Sequence, residues 1–170
     1  SFETISFSLE DTTAIHALKN GSAGELARWD LELGRRFGEA TLQALSHAGL
    51  GTADLDLVGS HGQTVWHGAD RPGSPGNATL QLADGAAIQA ITGAVVVCDF
   101  RRADIVAGGT GAPLTPWPDW LLFRAPGRTR AVLNLGGIAN VTVLPADGGY
   151  EKLVAFDAGP ANMPLDAAAR

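Results

Sequence analysis

Apolar residues return at spacings of about three and four through residues 22–48: Leu26, Trp29, Leu33, Phe37, Ala40, Ala44, Leu45 and Ala48. That period predicts an amphipathic helix with one face in a core. Ser22 with Glu25 supplies a capping box at its start, and Gly49 suits the position just past its end. Ahead of it, Ile5, Phe7 and Leu9 alternate and predict one face of a strand. Downstream, LDLVGS predicts a short strand ending at Ser60, and SHGQTVWH follows it as a polar segment. ATLQLAD predicts another strand, with Leu80 and Leu82 on one face. Asp84 then caps a helix over 85–92 that Gly93 ends. AVVVCDF is nearly all apolar, the pattern of a strand buried on both faces. The loop AGGTGAP leads to a helix near Thr115 with Pro116 at its first position.

APGR at 125–128 is a turn. AVLNLGG and IANVTVLP beyond it predict a hairpin-like pair, ADGG a second turn and LVAFDAG a third strand, after which GPAN opens a helix. Strands interleaved with helices indicate an α/β class. The change of pattern near residue 127 suggests a boundary between a first region, 1–127, and the start of a second, 128–170.

Composition narrows the function classes. The chain has 170 residues, 45% of them hydrophobic and 18% charged, which supports a real core. Net charge is −6, and the pairs Arg35–Arg36 and Arg101–Arg102 form no basic stripe, so a nucleic-acid partner is not expected. The single cysteine, Cys98, forms no internal disulfide and reads as a small buried apolar residue in a reducing compartment. There is no apolar run of about 18 residues and no signal-peptide pattern, so no membrane partner and a cytoplasmic location are expected. The chain enters alternation directly at Ser1 and ends within the helix-forming PLDAAAR, as a fragment of something longer would.

Four polar segments follow apolar strands, where α/β proteins collect ligands. In GSHGQTVWH, a glycine-flanked turn can offer His61, Gln63 and Thr64 to a polar ligand such as a sugar; His61 and His67 alone make a poor metal site. In CDFRRAD, Asp99 stands at a strand end and suits a general base, with a turn cap as the alternative; Asp104 reads as solvent-facing or as an ion-pair partner. In NLGGIAN, Gly136 and Gly137 turn the main chain tightly and leave N–H groups that phosphate oxygens can approach, or else form an ordinary hairpin. Neither a Walker A loop nor a dinucleotide fingerprint is present. In FDAGPANM, Asp157 can hold Mg²⁺ through water, a helix N-terminus favours anions, and Asn162 can contact substrate or phosphate; a helix cap without ligand is the alternative.

In that order, GSHGQTVWH, DFRRADIVAGGTGAPLTP, NLGGIANVT and FDAGPANMPLD resemble the 1,6-anhydro-N-acetylmuramic acid kinases of bacteria, from about residue 5 to the end. The resemblance implies a ribonuclease H-like sugar-kinase fold of the actin and heat-shock ATPase superfamily. Its two lobes stand around a cleft, and both are incomplete in this chain. It implies an ATP- and Mg²⁺-dependent kinase that opens the anhydro ring with water and phosphorylates O6, giving N-acetylmuramic acid 6-phosphate in peptidoglycan recycling. By that likeness Asp99 is the general base. His61, Gln63, Thr64 and Asn162 lie near the sugar, and Gly136, Gly137, Asn140, Asp157 and Gly159 line the nucleotide. A homodimer is implied as well. The family's N-terminal glycine- and serine-rich phosphate loop and its adenosine-holding C-terminal region fall outside these residues. Ala158 and Ala161 stand where relatives more often have Thr and Gly, and a Cβ at 161 would restrict a turn needing positive φ. Two other readings remain: a truncated non-catalytic paralogue that binds a sugar or a protein partner, and a hydrolase with Asp99 and Asp157 as paired carboxylates.

Overall fold

The computed structural model describes residues 2–68 and 76–169 of the chain. They form two compact units, Ser1–Gly111 and Ala112–Arg170, both mixing helices with strands.

The first unit begins differently from the expected strand. Residues 2–7 have no regular structure, and α1 spans Leu9–Ala17. Ser8 explains this: its Oγ accepts from the Asp11 N–H at 3.0 Å, an N-cap that outweighs the short alternation of Ile5, Phe7 and Leu9. Ile15 and Leu18 then turn inward. Helix α2, Ala23–His47, carries the predicted capping box, with Glu25 N–H on Ser22 Oγ and Ser22 N–H on Glu25 Oε2. The first half of its stripe is core as expected: Leu33 is fully buried, Trp29 nearly so, and Leu26 and Phe37 pack alongside, whereas Ala40, Ala44 and Leu45 are half-buried and Ala48 is exposed.

Strand β1 (Leu57–Ser60) is followed by β2 (Gln63–Gly68), β3 (Ala78–Leu82), α3 (Gly85–Thr92), β4 (Val95–Cys98) and α4 (Arg102–Val106). Asp84 caps α3 by accepting from Ala87 N–H at 2.7 Å, and Gly93 ends it in the left-handed region, both as the sequence indicated. SHGQTVWH contains strand β2, which pairs antiparallel with β3, with a bulge after Thr64. Strand β4 pairs parallel with β1, Ser60 opposite Cys98. β4 is not buried on both faces. Among the described residues β1 is its one sheet neighbour, so Val95 is 61% exposed and Val97 45%. Cys98 is likewise exposed, not buried.

In the second unit, α5 (Pro116–Phe123) packs against β6 and β5, although a boundary near residue 127 would assign it to the first. Strands β5 (Arg130–Leu135), β6 (Ile138–Leu144) and β7 (Val154–Pro160) form an antiparallel meander, followed by α6 (Asn162–Ala168). Leu144 and Trp120 are its buried apolar centre, and Tyr150 meets Trp117 edge-on at 5.0 Å.

Two glycines of α2 should respond to alanine with opposite signs. At Gly24 a Cβ meets open space, so Gly24→Ala stabilises by about 0.5–1 kcal/mol through helix propensity. At Gly34 a Cβ would lie 2.5 Å from Asp84 O and 2.9 Å from Ala87 Cβ, so Gly34→Ala costs about 1–3 kcal/mol. Urea unfolding checks both. Asp11 offers a pH test. The hydrogen bond from Arg36, then that from Ser8, lowers its pKa to about 2. Its contribution is present above the unfolded value of 3.8 and is lost as pH falls through about 2. Arg36→Met should move the Asp11 carboxyl titration back toward the ordinary range, read by NMR.

Candidate functional site

Because β1 and β4 run parallel, their carboxyl ends emerge at one edge of the first unit. Ser60, His61 and Gly62 at the end of β1 and Cys98, Asp99 and Arg102 at and beyond the end of β4 line a depression of about 190 Å³, with Asp30, Gln81 and Asp84 on its other walls. His61 and Asp99 therefore line one depression.

Asp99 has φ +60°, a left-handed backbone that Asp tolerates better than most residues. Its Oδ2 lies 3.3 Å from Arg102 Nε, and its side chain is 41% exposed. The carboxylate is thus paired, reachable and set on a turn. His61 Nε2 accepts from Arg101 Nε at 3.0 Å, and its Nδ1 donates to Gly62 O at 2.9 Å. Arg101 Nη1 also donates to Gly111 O at 2.7 Å, and burial lowers the pKa of this guanidinium from its usual value. Asp104 faces solvent as expected, but its Oδ2 also accepts the Gly111 N–H at 2.7 Å and so shapes the glycine-rich loop.

Gln63 and Thr64 lie on β2 and do not line this depression. Gln63 Nε2 donates to Thr64 O, and Thr64 Oγ1 accepts a 3.4 Å contact from Gln81 Nε2. It is Gln81, one strand over, that lines the depression. Sequence reasoning missed Gln81, Arg101 and Ser60. The hydroxyl of Ser60 is buried and has no hydrogen-bond partner among the described residues. Its place beside His61 in GSHG was the available signal. His67 Nδ1 contacts Thr79 Oγ1 at 3.0 Å. Among the described residues, no group of three or more His, Cys, Asp and Glu could hold a metal.

In the second unit, Gly136 and Gly137 do form a tight turn, joining β5 to β6. Neither has positive φ. A Cβ on Gly137 would meet Met163 Cγ at 3.8 Å, an ordinary contact. The backbone conformation itself therefore does not require glycine there. The turn carbonyls have a clear task. Gly136 O accepts from Asn162 N–H at 2.9 Å, and Gly137 O accepts from Ala161 N–H at 3.0 Å and Met163 N–H at 3.4 Å. The free helix N–H groups expected at GPAN are thus already bonded, and α6 has only seven residues.

Asn162 Nδ2 donates to Leu135 O at 3.1 Å, which leaves its Oδ1 available. Asn140 Nδ2 hydrogen-bonds Asp157 Oδ1 across β6 and β7. Both residues line a cavity of about 230 Å³ with Pro113, Thr115, Thr142 and Phe156. A bulge in β7 sets their register: Asn140 faces Asp157 while Ala139 faces Gly159, so Ala158 is the extra residue. Gly159 takes φ +141°, where a side chain is disfavoured. Ala161 has φ −122°, so its Cβ does not meet the restriction anticipated for that position.

Among the described residues, no helix is long and apolar enough to cross a membrane. The family model for anhydro-N-acetylmuramic acid kinase matches residues 10–170. Relatives that carry that name include the following three. The one from Caldanaerobacter subterraneus subsp. tengcongensis is 46% identical over 149 residues, 86% of this chain and 38% of the relative. The one from Gloeobacter violaceus is 49% identical over 130 residues, 76% of this chain and 34% of the relative. The one from Salinibacter ruber is 44% identical over 153 residues, 88% of this chain and 38% of the relative. The chain thus spans little more than a third of the length of these relatives, and by its family match it belongs to the anhydro-N-acetylmuramic acid kinase family.

Proposed function

We propose that this chain is the central part of an ATP-dependent kinase acting on 1,6-anhydro-N-acetylmuramic acid, built on a ribonuclease H-like two-lobed fold. The observation that carries the proposal is Asp99: a reachable carboxylate at the carboxyl end of β4, charge-paired with Arg102 and sharing a depression with His61. Asp99 accepts a proton from water as that water forms a bond to C1 of the sugar. The C1–O6 bond breaks, and O6 takes the γ-phosphoryl group of ATP. The products are N-acetylmuramic acid 6-phosphate and ADP. Phosphoryl transfer asks mainly for positioning and charge neutralisation.

The nucleotide end of the reaction falls to the second unit. Asn140 orients Asp157 through one carboxylate oxygen and leaves the other for hydrated Mg²⁺, a donor set that fits a cation retaining most of its waters. Mg²⁺ there would neutralise phosphate charge. Gly136, Gly137 and Gly159 keep side chains away from the approaching nucleotide, and Asn162 Oδ1 is available to substrate. His61 stands at the sugar, with Gln63 and Thr64 behind it on β2. Use of ATP on a small sugar implies a cytoplasmic enzyme.

In a full-length kinase carrying this sequence, Asp99→Asn should lower kcat by about 10²–10⁴-fold while sugar affinity stays within about threefold. Asn tolerates the left-handed backbone, so the melting temperature should hold, whereas Asp99→Ala costs about 1 kcal/mol. Wild-type turnover in Asp99→Asn would remove the residue from its role. Gly137→Val should raise the KM for ATP several-fold with little change for the sugar. An equal loss for both substrates would show a folding defect instead.

A further inference from the structure

His61 is held by two partners that each have a single hydrogen-bonding role. A guanidinium N–H only donates, and a main-chain carbonyl only accepts. Arg101 Nε stands 3.0 Å from His61 Nε2, and Gly62 O stands 2.9 Å from His61 Nδ1. Both contacts demand the same neutral imidazole, with the proton on Nδ1 and the lone pair on Nε2. The other tautomer would set N–H against N–H at one end and lone pair against lone pair at the other. Two hydrogen bonds would be lost together.

Arg101 also reaches a third strand of chain. Its Nη1 donates to Gly111 O, and the Gly111 N–H is itself held by Asp104. The guanidinium is half-buried and forms no ion pair among the described residues. A cation removed from water without a carboxylate is a poor device for stability alone. Here its donors are spent on locating two loops. One is the 60–62 turn after β1. The other is the glycine-rich loop after α4. Asp99 stands two residues before Arg101, in a left-handed conformation that its surroundings must hold.

We propose that Arg101 is a positioning residue for the base: it locks His61 as the Nδ1–H tautomer and ties the His61 turn to the turn that carries Asp99. While this contact stands, both ring nitrogens of His61 are occupied. The imidazole is then a rigid spacer that offers the sugar its ring edge, and it carries no proton in the reaction. This inference rests on reading Asp99 as the general base.

The test uses a full-length kinase carrying this sequence, with ¹⁵N-labelled histidine, and the variants Arg101→Met and Arg101→Lys. His61→Gln assigns the resonance. In the unmutated enzyme, multiple-bond ¹H–¹⁵N spectra should show His61 protonated at Nδ1 and bare at Nε2. Arg101→Met should shift the ring toward the Nε2–H form. It should lower kcat by about tenfold or more while the KM for ATP stays within about twofold. Arg101→Lys keeps the charge and most of the buried stem but cannot span both partners, so it should restore the melting temperature without restoring kcat. An Nε2–H ring in the unmutated enzyme, or a tautomer indifferent to both substitutions, overturns the proposal. So does a changed tautomer with unchanged kcat, which would leave the kinase reading intact. If the unmutated enzyme does not phosphorylate the anhydro-sugar, the kinase reading fails, and the imidazole spectrum alone decides whether Arg101 fixes the ring.

Discussion

The first unit depends on one junction, where β3 passes into α3. Ala83 sits there at φ +150°, a conformation that side chains rarely adopt and that costs on the order of 1–3 kcal/mol. Asp30, on α2, holds it in place. Its carboxylate accepts the Ala83 N–H at 2.9 Å, and its main-chain oxygen accepts the Asp84 N–H at 3.0 Å. Hydrogen bonds to a charged group contribute about 1.5–3 kcal/mol, enough to offset the strain. Gly34, one helical turn on, lets the Asp84 backbone come close to α2. Asp84 is then free to cap α3 with its own side chain. Asp30, Ala83 and Asp84 also line the depression that holds Asp99. The constraint that joins helix to sheet therefore also builds a wall of the candidate site.

Elements whose signals are local were legible in the sequence. The Ser22–Glu25 box, the Asp84 cap and the Gly93 stop each rest on residues within a few positions of one another, and each forms as read. Signals that depend on distant partners were not. β2 was hidden because GSHGQTVWH is polar and its pairing with β3 spans the interval to residue 78. The exposure of Val95 and Val97 was hidden because an apolar run states what a strand prefers to bury, not what lies beside it. At the N-terminus, two local signals competed, and the Ser8 cap prevailed over three alternating apolar residues.

The same division runs through the candidate site. His61 and Asp99 could be read as strand-end residues, and the parallel register of Ser60 with Cys98 puts them at one edge. Gln63 and Thr64 could not be separated from His61 by eye, since only the pairing of β2 shows that they leave the depression. Arg101 reads in sequence only as half of an isolated arginine pair. Its contact with His61 bridges 40 residues and leaves no trace in spacing.

The glycine turn shows why a side-chain-free segment need not be a strained one. Neither Gly136 nor Gly137 occupies a region closed to other residues. What the turn supplies is a pair of carbonyls facing α6, which absorb the first N–H groups of that helix. A trans peptide points its C=O and N–H in opposite directions. With Gly136 O directed at Asn162, the Gly137 N–H must point away from α6. Among the described residues no acceptor reaches that N–H. If the proposed nucleotide site is correct, a phosphate at this turn would meet a single amide on its far side, and not the helix N-terminus behind it. On the proposed kinase reading, charge neutralisation would come from elsewhere in the unit, and the Asn140–Asp157 pair, brought into register by the bulge at Ala158, is the polar group that reading assigns to it.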